Sequence, residues 1–189
     1  MEELERAMGI SRTPLKEALQ RLEAEGLVEV IARRGTYVSK LNLERAAELF
    51  DLRQVLETGA APRILDSATD EDIERIVGLN EDLIRLLDEG PYEEIVVEFI
   101  ERDRVFHTEM MKLAGNTALV NTYSGVNTHL QIARVNTMFV RTQSNATGDE
   151  HSRIVEALVD RNEPALRHAL AGHIDASRDR TLEAMTGEE

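Results

Sequence analysis

Cysteine and tryptophan are absent from the 189 residues, and the aromatic complement is three Tyr and four Phe. Without cysteine there are no disulfides and no thiolate chemistry. So few aromatic rings argue against reading single-stranded nucleic acid by base stacking. No apolar run approaches the ~18 residues that span a bilayer, and no basic-then-apolar leader opens the chain, so no membrane contact and a cytoplasmic location are the expectation. An overall basic charge is also lacking: 22 Lys and Arg face 36 Asp and Glu, for a net charge of −14. A uniformly charged chain of this kind would repel nucleic acid. What is present is 42% hydrophobic residues, enough for one medium domain and a small one.

The charge is unevenly placed. Residues 1–40 hold seven Lys or Arg and seven Asp or Glu, whereas residues 41–189 hold 15 and 29, so the whole acidic excess lies outside the first 40 residues. Within that neutral segment, after the helical EELERAMG, the run SRTPLKEALQRLEAEGLVEVIARRGTYV reads as a helix followed by a two-stranded wing. Ser11 or Thr13 suits the helix start, Pro14 falls in the first turn, and Gly26 supplies the stop. Leu15, Ala18, Leu19, Leu22 and Leu27 recur at helical spacing and predict a buried face. The other face carries Arg12, Lys16, Glu17, Gln20 and Arg21, side-chain types that reach phosphates and base edges. Leu27–Val30 and Thr36–Val38 are short β-prone runs around a turn, Ala32-Arg33-Arg34-Gly35, with two cations at its tip.

From residue 43 onward the periodicity is helical throughout. It predicts helices over about 43–66, 70–89, 92–114, 117–141, 147–161 and 163–185, separated by Thr69, Gly90-Pro91, Gly115-Asn116, Ser144–Gly148 and Asn162–Pro164. Asn42 and Asn116 are candidate helix caps, and Thr186–Glu189 reads as a frayed tail.

The third of these helices carries an apolar stripe, Val96, Phe99, Ile100, Phe106, Met110 and Leu113, with Asp103 and His107 inside it. Four residues apart, these two project side by side. A buried carboxylate there needs a cation, a donor or a metal. His151 precedes Ile154, Val155 and Leu158 on an inward face, and His173 lies in the stripe of Leu166, Leu170 and Ile174. His168 falls on the wet side, and His129 has mixed flanks. Each inward histidine suits a core position bonded to a carbonyl; taken together, Asp103, His107, His151 and His173 equally suit a metal site.

The runs SRTPLKEALQRLEAEGLV and RRGTYV agree nearly residue for residue with the GntR family of bacterial transcription regulators, and the segment resembles that family's winged helix-turn-helix. The resemblance implies that Ser11, Arg12, Thr13, Lys16 and Arg21 contact operator DNA and that Arg33, Arg34, Gly35 and Thr36 lie against the adjacent groove or backbone. Family members carry a further helix ahead of Glu2, so an N-terminally truncated winged helix is the expectation, with its DNA binding in question.

Residues 46–186 resemble the FCD domain, the ligand-binding and dimerisation domain of the FadR subfamily, in its six-helix form. The implied architecture is mainly α: a winged helix-turn-helix over 1–39, a linker over 40–45 and an all-α six-helix bundle over 46–186. Metal-bearing members use an Asp and a His four apart and one His on each of the last two helices, which here are Asp103, His107, His151 and His173. The resemblance further implies a divalent metal, Zn²⁺ first with Ni²⁺, Mn²⁺ or Fe²⁺ as alternatives, a small organic acid completing its coordination, and a homodimer. Arg53 in DLRQVLE and Arg134 in HLQIARV are candidates to hold the acid's other end; a salt bridge to a neighbour such as Glu57 suits either equally well. The expected function is a ligand-responsive transcription regulator and not an enzyme. The alternatives are a metal-dependent enzyme, or a metabolite sensor that has lost DNA binding.

Overall fold

The structure, a computed structural model, describes residues 2–89, 92–137 and 144–187. Its contacts divide the chain into two units, Met1–Lys40 and Leu41–Glu189.

In the first unit α1 (Glu2–Met8) and α2 (Arg12–Ala24) precede β1 (Val28–Ile31) and β2 (Gly35–Val38). The second helix ends in a Schellman turn: Gly26, at φ 73°, lets Leu27 N–H reach the carbonyl of Leu22 at 2.8 Å. The strands pair antiparallel with Val28 opposite Val38 and Ile31 opposite Gly35. At the tip Arg33 takes φ 65° and Gly35 φ 127°, conformations that the three-residue loop requires. The Tyr37 hydroxyl donates to the Arg34 carbonyl at 3.1 Å and braces that loop.

One expectation fails here. Of the predicted buried face of α2, only Leu15 is buried, joined by Leu27 beyond the helix; Leu19 and Leu22 are half-buried and Ala18 is exposed. Among the described residues of this unit α1 is the one helix packed on α2, and a seven-residue helix covers only part of that stripe. Ser11 sits at the N-cap position but its hydroxyl makes no cap hydrogen bond.

The second unit is a bundle of α3 (Leu43–Ser67), α4 (Asp70–Leu87), α5 (Tyr92–Lys112), α6 (Thr117–Thr137), α7 (Ser144–Val159) and α8 (Glu163–Thr186). The fold class is the one the sequence implies. Starts are set by side-chain caps: Asn42 accepts from Arg45 N, Asn116 from Leu119 N, Asn162 from Ala165 N, and Thr69 with Asp72 forms a capping box. Pro62 interrupts α3 without breaking it. Having no N–H, it leaves the Thr58 carbonyl unsatisfied, and Arg167 of α8 donates to that carbonyl at 2.8 Å, fastening α8 along α3.

Two boundaries differ from the sequence reading. The helix α7 starts at Ser144, three residues before the expected start at 147, so the separator expected over Ser144–Gly148 is helical; Gly148 faces α4, where a Cβ would stand at ordinary contact distance from Leu87 and Ile84. Thr186 is still helical, its hydroxyl bonded to Glu183 O. The expected separator Gly90-Pro91, positions 138–141 of the fourth predicted helix and the last two residues lie outside the described residues.

The core of the bundle has layers. One apolar cluster gathers Ile64, Ile76, Phe106, Met110, Leu158 and Leu170, and a second gathers Leu49, Phe50, Val126, Leu130 and Ile174. Along α3 the buried positions pass from Leu49 and Phe50 through Arg53 and Glu57 to Ala60, Ala61 and Ile64. The helix therefore carries one polar layer between two apolar ones.

Candidate metal centre

In that polar layer α5 contributes Asp103 and His107, α7 His151 and α8 His173, all at most 2% exposed. One ligand atom from each lies within 4.8 Å of the others, and among the described residues they form the one group of metal-ligating side chains so arranged.

The hydrogen bonds fix the histidine tautomers. His107 Nδ1 donates to Glu57 Oε2 at 3.0 Å, and His173 Nδ1 donates to Glu150 Oε2 at 2.9 Å. Burial alone would raise the pKa of Glu57, but Arg53, bonded to it at 2.6 Å, and then His107 hold it at about 2. Burial likewise opposes ionisation of Glu150, and Arg180 with His173 overcomes it, again to about 2. Both carboxylates are therefore anionic acceptors, which places a proton on Nδ1 of each ring; a neutral ring then carries a bare lone pair on Nε2. These two Nε2 atoms face each other at 3.0 Å. Two lone pairs in that position repel unless a metal ion or a proton stands between them, and two imidazoles bound to one ion at ~2.1 Å would be roughly 3.0–3.4 Å apart, from right-angled to tetrahedral coordination. A carboxylate on the outer nitrogen is also the usual second layer of a metal-bound histidine.

The other two ligands fit as well. Asp103 Oδ1 and both ring nitrogens of His151 are buried without a hydrogen-bond partner, although His151 Nε2 stands 3.4 Å from Asp103 Oδ1. The His151 ring stacks on Phe106 at 4.5 Å between centroids, which fixes its plane. Burial would raise the pKa of Asp103, but Arg134, hydrogen bonded to Oδ2, together with His107 and His151, holds it well below the usual carboxylate range. Burial pushes His151 well below 6.5 and His173 to about 4, even though Glu150 opposes the second shift. Asp103, His151 and His173 are thus in their ligating protonation states at neutral pH.

Low histidine pKa values make stability depend on pH. The unfolded chain binds protons on His151 and His173 near pH 6.5, whereas the folded chain accepts one on His173 only near pH 4. Stability of the metal-stripped protein is predicted to fall as pH drops through that window, by about 1.4 kcal/mol per pH unit for each histidine. Urea denaturation between pH 7 and 5 measures this, and a flat profile would contradict the burial of both rings in their neutral form.

The remaining predicted residues are placed as follows. Arg53 is 1% exposed and bonded to Glu57, and its Nη2 is left without a hydrogen-bond partner. Beside it the buried Tyr123 hydroxyl also lacks one. Arg134 is bonded to Asp103. His168 is exposed and His129 half-buried, and neither belongs to the cluster. In the first unit Ser11, Arg12, Thr13, Lys16, Arg21, Arg33, Arg34, Gly35 and Thr36 are all exposed. Arg12 and Lys16 stand one turn apart in one column of α2. Arg21 lies about half a turn round, in a groove with Glu17 and Glu25.

Sequence reading missed the roles of Glu150, Arg180 and Tyr123. Arg180 donates to both oxygens of Glu150 at 2.7 and 2.8 Å. The available signal was positional: Glu150 adjoins His151 and Arg180 follows His173 by two turns.

Residues 48–176 match the FCD domain family, and residues 1–38 match the gntR family of bacterial regulatory proteins. An uncharacterized HTH-type transcriptional regulator in an unstable DNA locus of Streptomyces ambofaciens is 32% identical over 94% of this chain and 72% of its own. The nta operon transcriptional regulator of Aminobacter aminovorans is 30% identical over 98% and 84%. Among solved structures, Escherichia coli McbR/YncC superposes with a TM-score of 0.85 at 18% identity, covering 95% of this chain and 84% of that one. On this evidence the chain belongs to the GntR family of bacterial transcription regulators, a winged helix-turn-helix followed by an FCD domain.

Proposed function

We propose that this protein is a metal-dependent regulator of the FadR type, which binds operator DNA as a homodimer and alters that binding when a small carboxylate reaches the FCD domain. The observation that carries the reading is the buried cluster of Asp103, His107, His151 and His173, in which the Nε2 atoms of His107 and His173 face each other at 3.0 Å with both Nδ1 atoms bonded to carboxylates.

Asp103, His107, His151 and His173 hold the ion, Zn²⁺ being the best match to three imidazoles and one carboxylate. When bound, it would supply two positive charges and, if six-coordinate, open positions for an oxygen ligand. The named buried charges around it are already balanced: Arg53 against Glu57, Arg134 against Asp103, and Arg180 against Glu150. Those charges of the ion are left to an anionic ligand, and removal from water strengthens that pairing. Arg53 Nη2 and the Tyr123 hydroxyl, buried and without hydrogen-bond partners, suit its second polar group. Arg134 serves the ligand through Asp103, whose carboxylate it orients.

DNA is met by the neutral head. Arg12, Thr13 and Lys16 of α2, with Ser11 before it, face the major groove, Arg33 to Thr36 approach the backbone, and Arg21, about half a turn away beside Glu17 and Glu25, is left out of that face. Each head offers few phosphate contacts, so affinity depends on two heads joined by their FCD domains, and the acid acts by shifting their separation.

Fluorescence anisotropy on DNA from upstream of the neighbouring genes tests this. A carboxylate effector should change DNA affinity in metal-loaded protein and leave metal-stripped protein unaffected; an equal response in both would remove the metal from the sensing step. Arg12→Ala should weaken DNA binding and lower the salt slope by about one counterion per head, with metal content unchanged.

A further inference from the structure

Three of the four ligands are shut inside the bundle, and the fourth is not equally remote from water. Between α7 and α8 runs an open groove of about 230 Å³, lined by Glu150, Arg153, His168, Gly172 and Ala176, and His173 forms part of its floor. The His173 ring joins the two sides: Nδ1 is bonded to Glu150, which lines the groove, and Nε2 faces His107 inside. One imidazole and one carboxylate thus separate the groove from the ligand cluster. Glu150 is latched in turn by Arg180, through both of its oxygens.

We propose that this groove is the passage by which the divalent cation enters and leaves the centre, with His173 and Glu150 as its gate and Arg180 as the latch. The proposal rests on the metal reading given above. A cluster at most 2% exposed cannot load without an opening. Rotation of two side chains at a groove floor disturbs far less packing than parting capped helices. On the way in, the ion meets the His168 imidazole at the mouth and then the Glu150 carboxylate, both ordinary ligands for a partly hydrated cation. Arg153 at the mouth opposes it, so the passage is slow by construction.

Gly172 provides the test. A Cβ there meets nothing within 4 Å, so Gly172→Leu fills the groove, and it raises helix propensity as well. Zinc release from the loaded full-length protein to an excess of a colorimetric chelator gives one rate. Zinc uptake by stripped protein, in competition with a fluorescent zinc indicator, gives the other. Gly172→Leu should slow both rates several-fold and leave Kd unchanged, because a plug raises the barrier without touching the bound state. Ala176→Leu, in the same groove, should repeat the effect and guards against a folding failure of the first variant. Arg180→Met frees Glu150, the second-layer partner of His173, from its latch and should speed release several-fold. Stoichiometric zinc with both rates unaltered in the two plugged variants would overturn the passage alone. A wild-type protein that takes up no zinc would overturn the metal reading and the passage with it.

Discussion

Replacing His107 or His173 by alanine is expected to strip the protein of metal while leaving it folded and helical. Each change deletes one of four donors, and the affinity lost should exceed the roughly 10–100-fold typical of a second-layer partner. Folding survives because neither deletion leaves a charge alone. Without His107, Glu57 retains Arg53 at 2.6 Å; without His173, Glu150 retains both bonds to Arg180. The ring volume removed from the core lowers stability by an amount the six-helix bundle tolerates. His129→Ala is the control, since that ring lies outside both the cluster and the groove between α7 and α8. Elemental analysis after gel filtration decides the matter. Full stoichiometric metal in both variants would reject the four-ligand assignment, whatever the circular dichroism shows.

How far the site could be read in advance depended on sequence distance. Asp103 and His107 share an apolar stripe on one helix, so their common direction follows from a spacing of four. His151 and His173 follow from stripes of their own, each local. The partners that fix the chemistry are not local: Glu57 meets His107 across 50 residues and Glu150 meets His173 across 23. Nothing in periodicity distinguishes these two acids from the many solvated ones in a chain with 36. Arg53 and Glu57 were legible as a pair because they are one helical turn apart, but not as the outer support of His107.

Local errors arose where packing overrode propensity. Gly148 has the composition of a loop, yet it stands inside α7 on the side that faces Leu87 and Ile84 of α4. Leu19 and Leu22 have the spacing of a core face, yet only part of that face is covered. In the wing, by contrast, turn chemistry alone was sufficient. Gly35 marks the loop because glycine readily takes its positive φ, whereas Arg33 takes φ 65° without a signal in its residue type.

The second large effect is expected at Arg53. Guanidinium and carboxylate in the Arg53–Glu57 pair are at most 1% exposed. Arg53→Met leaves the Glu57 charge buried with only His107 beside it, and removing one partner of a buried ion pair destabilises by about 3–5 kcal/mol. Replacing both, as Arg53→Met with Glu57→Leu, removes the orphaned charge and should restore most of that loss, since apolar groups of similar volume often substitute for a buried pair without penalty. The double variant still lacks the acceptor that holds His107 in its tautomer, so metal affinity should remain depressed roughly 10–100-fold.

Acid supplies an independent reading of the same pair. In the native protein Glu57 is held at about 2 against 4.5 unfolded, so its contribution is complete above pH 4.5 and is lost as pH falls toward 2. With Arg53 gone, burial raises the Glu57 pKa, and the gap in stability between Arg53→Met and native protein should narrow as pH falls from 7 to 5. Urea titrations of the metal-stripped single and double variants at both pH values measure every term. Equal destabilisation of the two variants would mean that Arg53 acts by filling space, and that Glu57 needs no partner beyond His107 in the core.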